Sequence, residues 1–243
     1  MAGGNIFIGT SGWVYNHWKG IFYPEDLKQK EWLKFYSDKL KTVEVNNSLY
    51  RLPDEKTFKI WEATTPEKFI FSVKGSRYIT HMKKLKDPGQ TSKKLFGRLK
   101  YLKKKVGPLL FQLPPNWKFD KIRLEKFLKA LREDYNYAFE FREKSWWNDD
   151  TLGLLKEYNA AFCIFELAGT LTPKEITADF IYVRLHGPGD KYLGNYNKKE
   201  LASWAENIWE WKRGKNDVYL YFDNDESGYA VKNALDLKKI LSS

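Results

Sequence analysis

Eight short runs of β-branched and aromatic residues recur along the chain, and between them lie segments with helical spacing. The runs occupy residues 6–13 (IFIGTSGW), 42–49 (TVEVNNSL), 69–75 (FIFSVKG), 107–115 (GPLLFQLPP), 137–143 (YAFEFRE), 160–167 (AAFCIFEL), 180–187 (FIYVRLHG) and 218–225 (VYLYFDND). Each is bounded by Gly, Pro, Asn or charge, as strands are. Apolar faces at helical spacing mark the segments between them, for example Leu95, Phe96, Leu99, Leu102 and Val106, or Leu201, Trp204, Ile208 and Trp211. Only the connection after the sixth run, GTLTPKEITAD, is too short for an ordinary helix. Strict alternation of strand and helix predicts a parallel sheet. Eight such units favour a closed (β/α)8 TIM-like barrel, with a doubly wound open sheet as the alternative. At 243 residues the whole chain, 1–243, fits one barrel as a single domain.

In an extended strand, residues two apart share a face. Near the ends of the runs stand Thr10, Glu44 with Asn46, Ser72 with Lys74, Gln112, Glu140 with Arg142, Glu166, Arg184 with His186, and Tyr221 with Asp223. The residues between the pairs (Val45, Val73, Phe141, Leu185, Phe222) would pack outward under the helices. The polar set then converges inside the C-terminal mouth, where barrels carry their sites. Glu140, Arg142, Arg184, His186 and Asp223 are expected to open into one cavity there. Three long connections rim the same mouth: residues 13–27, residues 76–91 with Arg77, Tyr78 and His81, and residues 187–197, whose glycines suit closure over a ligand.

Arg142 and Arg184 suit a bidentate grip on phosphate or carboxylate, and pairing with Glu44, Glu140 or Asp223 is the alternative. His186 ends a strand beside Arg184, whereas His17 and His81 lie in loops, so His186 is the expected acid or base. No cofactor motif is recognisable: neither a G-x-G-x-x-G after the first strand nor a G-x-x-x-x-G-K-[ST] occurs. The acids with His186 could serve a divalent metal, although no H-E-x-x-H spacing is present. Trp13, Trp18, Trp146 and Trp147 either stack bases or sugar rings or complete the core.

The chain is 42% hydrophobic, 30% charged and 17% aromatic, so disorder is excluded. Its single cysteine, Cys163, lies in an apolar run and allows no intramolecular disulfide. MAGGNIFIG is not a secretory leader, and no run reaches the ~18 apolar residues of a membrane span, so a cytoplasmic protein without a membrane partner is expected. The net charge of +11 is concentrated between Lys74 and Lys105, where twelve Lys or Arg face one acid, Asp87. That segment is expected to face a polyanion such as single-stranded nucleic acid.

The motifs I-G-T-S-G-W, T-V-E-V-N-N-S-L-Y-R-L-P, F-x-F-S-V-K-G-S-R-Y-I-T-H, L-F-Q-L-P-P, E-F-R-x-x-S-W, Y-V-R-L-H-G and Y-F-D-N-D, in this order, resemble the domain of unknown function 72 family from Ile8 to about Ala234. The resemblance implies a TIM-like barrel in a bacterial and archaeal family of no settled activity. Its motif positions fall on Glu44, Asn46, Lys74, Arg77, His81, Gln112, Glu140, Arg142, Trp146, Arg184, His186, Asp223 and Asn224.

Three functions follow as expectations. One is a hydrolase of a phosphate-containing substrate, nuclease-like if that substrate is nucleic acid. Glu140 or Glu44 would activate water, Arg142 and Arg184 would hold the developing charge, and His186 would protonate the leaving oxygen. Thr10, Asn46, Lys74, Arg77, His81, Gln112, Trp146, Tyr221 and Asn224 would contact the substrate. The second is a carbohydrate-active barrel with Glu44 and Glu140 as acid and base. The third is a nucleic-acid-binding module without turnover.

Overall fold

The computed structural model describes residues 3–46, 48 and 52–242. Its strands are β1 (Ile6–Thr10), β2 (Thr42–Val45), β3 (Ile70–Lys74), β4 (Val106–Leu113), β5 (Tyr137–Phe141), β6 (Ala161–Phe162), β7 (Ile164–Leu167), β8 (Thr170–Leu171), β9 (Phe180–Leu185) and β10 (Asp217–Phe222). Between and after them run α1 (Trp32–Lys39), α2 (Glu55–Thr64), α3 (Pro88–Leu99), α4 (Lys121–Lys129), α5 (Asp149–Glu157), α6 (Lys198–Arg213) and α7 (Tyr229–Ile240). The strands form two sheets, β1-β10-β9-β7-β8 and β2-β3-β4-β5-β6, parallel except for the β7–β8 hairpin. All eight predicted runs carry strand. The second ends at Val45, and the rest of its predicted span includes Asn47 and Leu49, which lie outside the described residues.

Among the described residues, two points join the sheets. Ser11 bridges to Glu44, and the Gly12 N–H donates to the Glu44 carbonyl at 2.8 Å. At the other seam the sixth run is divided at Cys163: β6 pairs with β5, and β7 pairs with β9. The connection that was too short for a helix forms none among the described residues. Instead its threonines satisfy the strand that a helix would have covered. The Phe162 N–H donates to Thr177 Oγ1 at 2.7 Å and the Phe165 N–H to Thr172 Oγ1 at 3.0 Å.

Both faces of the strands are buried, as in parallel sheets covered by helices. Val43, Val45, Phe71, Val73, Phe139, Phe141, Leu185 and Phe222 pack outward with the helices. Leu110, Ala138, Ala161, Cys163, Phe180, Tyr182, Tyr219 and Tyr221 form a separate inward cluster. The outward assignment of Val45, Val73, Phe141, Leu185 and Phe222 is therefore met.

The third predicted helix is shorter than its apolar spacing suggests. α3 stops at Leu99, and a 3-10 segment follows, broken at Lys103, whose φ is 52°. The break carries Lys105 inward, where its ammonium donates to the carbonyls of Glu62 and Thr65, the latter at 2.8 Å. A cation on the last carbonyls of α2 complements the helix dipole. Among the described residues no helix is long and apolar enough to cross a membrane.

Candidate functional site

Arg184, fully buried on β9, is the hub of the inward polar set. Its Nε and Nη2 reach the two Glu44 oxygens at 3.0 and 2.8 Å. Nη1 donates to Glu140 at 2.7 Å, and Nη2 to Asp223 at 2.9 Å and to Ser11 Oγ at 3.1 Å. Glu44 also accepts from the Tyr182 hydroxyl at 2.7 Å and from Ser11 Oγ, and Glu140 also accepts from Arg142 Nε. Parity places these groups: Glu44 lies opposite Ser72 on β3, Glu140 opposite Gln112 on β4, and Tyr221 opposite Arg184.

His186 is fully buried and engaged at both nitrogens. Nδ1 lies 3.0 Å from Asp223 Oδ2, while Nε2 lies 3.1 Å from Arg142 Nη2 and 3.2 Å from Arg184 Nη1. Guanidinium nitrogens only donate, so Nε2 is the acceptor and Nδ1 carries the proton toward Asp223. Burial, reinforced by Arg184, lowers the His186 pKa to about 4, so the imidazole is neutral near pH 7. Burial alone would raise the Glu140 and Asp223 pKa values. Arg142 and Arg184 instead hold Glu140 well below the usual carboxylate range, and Arg184 and His186 hold Asp223 at about 2.

Beside this network, at the C-terminal ends of the strands, opens a cavity of about 360 Å³. Lys74, Arg77 and His81 line it together with Asn46, Gln112, Tyr192 and Asp223. Its size falls within the ligand-pocket range of roughly 300–1,000 Å³. His81 sits on a π-helical turn, Tyr78–Met82, with Nδ1 2.8 Å from Thr80 Oγ1. Burial, then Arg77 and Lys74, depress the His81 pKa. Tyr192 reaches the cavity from the 187–197 loop, its ring centroid 5.4 Å from that of His186. Gly187, at φ 115°, admits that loop, because a Cβ there would meet the Leu193 carbonyl at 2.1 Å.

The structure therefore divides the predicted site residues. Asn46, Lys74, Arg77, His81, Gln112 and Asp223 line the cavity. Glu44, Glu140, Arg142, Arg184 and His186 form the ionic network beside it, and of the five residues expected to open into the cavity only Asp223 does so. Pairing, the alternative reading of the arginines, is what the geometry realises. Neither Glu44 nor Glu140 is exposed to receive a water or a sugar ring, since both are fully buried on Arg184.

Other candidates serve the scaffold. The Thr10 N–H and hydroxyl meet Tyr36 Oη at 3.0 and 2.9 Å, and Tyr221 meets Thr42 at 2.7 Å. Asn224 Nδ2 donates to Asn233 Oδ1 at 2.9 Å and to the Gly194 carbonyl at 2.8 Å. Trp146 is fully buried against Trp117, Phe119 and Phe141, and its indole N–H donates to the Trp117 carbonyl at 2.6 Å. The ring is core and not a stacking platform. Glu166 points away from the hub, and its pKa is raised by burial near Trp204 and Tyr196.

Sequence reasoning missed Ser11, Tyr182 and Tyr192. Tyr182 shares the parity of Arg184 and was within reach of the same argument. Tyr192 carried no signal beyond the glycines of its loop. Among the described residues, no three His, Cys, Asp or Glu side chains are arranged to hold a metal ion.

The sequence model of the family described as protein of unknown function DUF72 matches residues 7–243. The chain is 26% identical over 269 residues to the UPF0759 protein YunF of Bacillus subtilis (strain 168), covering 97% of this chain and 94% of that one. Its fold matches the crystal structure of a DUF72 family protein from Thermotoga maritima with a TM-score of 0.89 and 30% identity, over 98% of this chain and all (100%) of that one. A DUF72 family protein from Enterococcus faecalis matches with a TM-score of 0.84 at 20% identity, over 98% and 96% of the two chains, a likeness of fold alone. On these matches, and on motifs that place a buried arginine hub beside a donor-lined cavity, the chain belongs to the DUF72 family.

Proposed function

We propose that the two sheets are halves of one closed (β/α)8 barrel, and that its C-terminal mouth is the active site of an enzyme acting on a small phosphate-containing substrate. The Ser11–Glu44 bridge and the continuity of β6 and β7 across Cys163 support the closure. The excess of N–H donors in the cavity carries the functional reading. Lys74, Arg77 and His81 offer nitrogens against one carboxylate, Asp223, and that carboxylate already pairs with Arg184 and His186. A polyatomic anion is the ligand such a surface best accommodates.

Hydrolysis of a phosphoester is the reaction this arrangement suits. His81, with Nδ1 turned to Thr80, replaces the buried His186 as the proton-transfer group. Arg77 holds the phosphoryl oxygens, and the adjoining network keeps Asp223 ionised and fixed. Calorimetry with inorganic phosphate and hydrolysis of p-nitrophenyl phosphate test this. Removing one charged contact costs about 1.5–3 kcal/mol, so Arg77→Met should weaken phosphate binding roughly 10- to 100-fold without a matching loss of melting temperature. No phosphate binding by the parent at millimolar concentration rejects the reading.

A second observation favours nucleic acid as the source of the phosphate. A groove of about 1,080 Å³ is lined by Ser76, Tyr78, Ile79, Lys94 and Arg98, and the first three of these neighbour the cavity's Arg77 and His81 in sequence. Part of the basic segment is already engaged: Lys103 pairs with Glu62 at 3.1 Å, Arg98 with Glu55 at 3.6 Å, and Lys105 caps α2. If a single strand nevertheless runs from the cavity along this groove, four to six contacts imply a log–log salt slope of roughly −3 to −4. Changing Lys83, Lys84, Lys86 and Lys94 to Glu should flatten it. An unchanged slope in that variant confines the ligand to the cavity.

A further inference from the structure

Among the described residues, two lysines are almost fully buried, Lys74 and Lys105, each 6% exposed. They differ in what meets the ammonium. Lys105 is capped by carbonyl oxygens and serves α2. Lys74, the last residue of β3, lines the cavity, and its Nζ takes part in none of the side-chain hydrogen bonds or ion pairs found among the described residues. An ammonium buried without a dedicated partner is poorly stabilised, and the neutral amine that replaces it is a nucleophile.

The groups facing Lys74 act in both directions. Burial first, then Arg184, lowers its pKa, while Glu44, Asp223 and Glu140 pull it upward, and the lowering dominates. Each of those carboxylates is already bonded to Arg184. Arg77 and His81 line the same cavity, and Arg77 and Lys74 both depress the His81 pKa. Asn46 adds a buried Oδ1 with no hydrogen-bond partner among the described residues, an acceptor suited to a ligand hydroxyl.

We infer that Lys74 is an amine nucleophile and that the cavity takes a phosphorylated aldehyde or ketone, which Lys74 captures as an imine. This rests on the cavity being a phosphate site and not on the hydrolytic step. Arg77 holds the phosphate while the carbonyl carbon meets Nζ. The nitrogen lone pair forms the C–N bond, the carbonyl π pair moves to oxygen, and one amine proton passes to that oxygen to give the carbinolamine. The carbinolamine hydroxyl then takes a proton supplied by solvent through the cavity and leaves as water, while the nitrogen lone pair forms C=N⁺. Overall, starting from the neutral amine, one proton is consumed and one water is released, with no change of oxidation state.

The test uses the full chain with dihydroxyacetone phosphate and sodium cyanoborohydride near pH 7. Hydride reduces the protonated imine to a stable secondary amine, which peptide mass mapping locates. Lys74 should be labelled at least about tenfold more than exposed lysines such as Lys94, and excess inorganic phosphate should suppress that labelling. Lys74→Arg should remove the label while its circular dichroism and melting temperature stay close to the parent's. Label spread evenly over the surface lysines, or Lys74 unlabelled in protein that binds dihydroxyacetone phosphate, overturns the imine and leaves the phosphate site standing. No binding of the ketone phosphate by calorimetry overturns both.

Discussion

Arg184→Met should lower the melting temperature by about 6–20 °C. Arg184 is fully buried and holds Glu44, Glu140 and Asp223 through bonds of 2.7 to 3.0 Å. Methionine fills much of the volume but leaves three carboxylates facing one another with Arg142 and Lys74 as the remaining cations nearby. Breaking a buried ion pair by removing one partner costs roughly 3–5 kcal/mol. For a chain of this size each kcal/mol moves the midpoint by about 2–4 °C. The penalty is desolvated charge and not lost packing, so neutralising a partner should recover part of it: Arg184→Met with Glu140→Gln should melt above Arg184→Met alone. Arg184→Lys, which keeps the charge but loses the planar fork, should fall between parent and methionine variant. Thermal denaturation followed by circular dichroism decides. A midpoint within about 2 °C of the parent would mean that the network contributes little and that Arg184 is kept for a ligand.

That outcome bears on why the site was only partly legible in the sequence. Parity along a strand is encoded directly, so Glu44 and Asn46, Lys74 with Ser72, and Arg184 with His186 were correctly assigned to one face. Depth along the strand direction is not encoded in parity. Arg184 and His186 lie outside the cavity lining and Lys74 lies within it, although all three stand at strand ends. The choice of histidine reversed for the same reason. A strand-end position brought His186 within reach of both arginines and Asp223, which occupied its nitrogens, while the loop position of His81 left it facing the cavity. Trp146 misled because an aromatic following a strand reads as a platform, whereas the acceptor that buries its indole is the Trp117 carbonyl, contributed by a remote segment. The fold was more legible than the site, since alternation of strand and helix is a local property and the weak sixth connection announced itself by length. The division of its strand at Cys163 had no local signal, because it reflects pairing with β5 on one side and β9 on the other.

Acidification should destabilise the protein in two steps, and the upper step belongs to His186. Its pKa is about 4 in the fold against 6.5 in an unfolded chain, so below about pH 6.5 the unfolded state takes up a proton that the native state refuses. Stability is then lost progressively as the pH falls from about 6.5 to about 4, by roughly 3 kcal/mol at 1.36 kcal/mol per pKa unit. The lower step belongs to the carboxylates. Asp223 at about 2, against 3.8 unfolded, contributes stability that is present above its unfolded pKa and disappears as the pH approaches 2. Glu140, also depressed, acts in the same sense. Protonating His186 also places a third cation against Arg142 and Arg184, so the groups titrate as one system and the two steps overlap. The expected observation is a melting temperature about 6–12 °C lower at pH 4 than at pH 7. His186→Gln removes the upper titration, so its melting temperature should change far less between pH 6.5 and pH 4 and should still fall below pH 4. His81 is also depressed but half-buried, and it remains in that variant, which makes the difference between the two profiles specific to His186. A parent profile flat between pH 7 and pH 4.5, or a His186→Gln profile that keeps the upper step, would show that the buried imidazole does not set the acid limit of the fold.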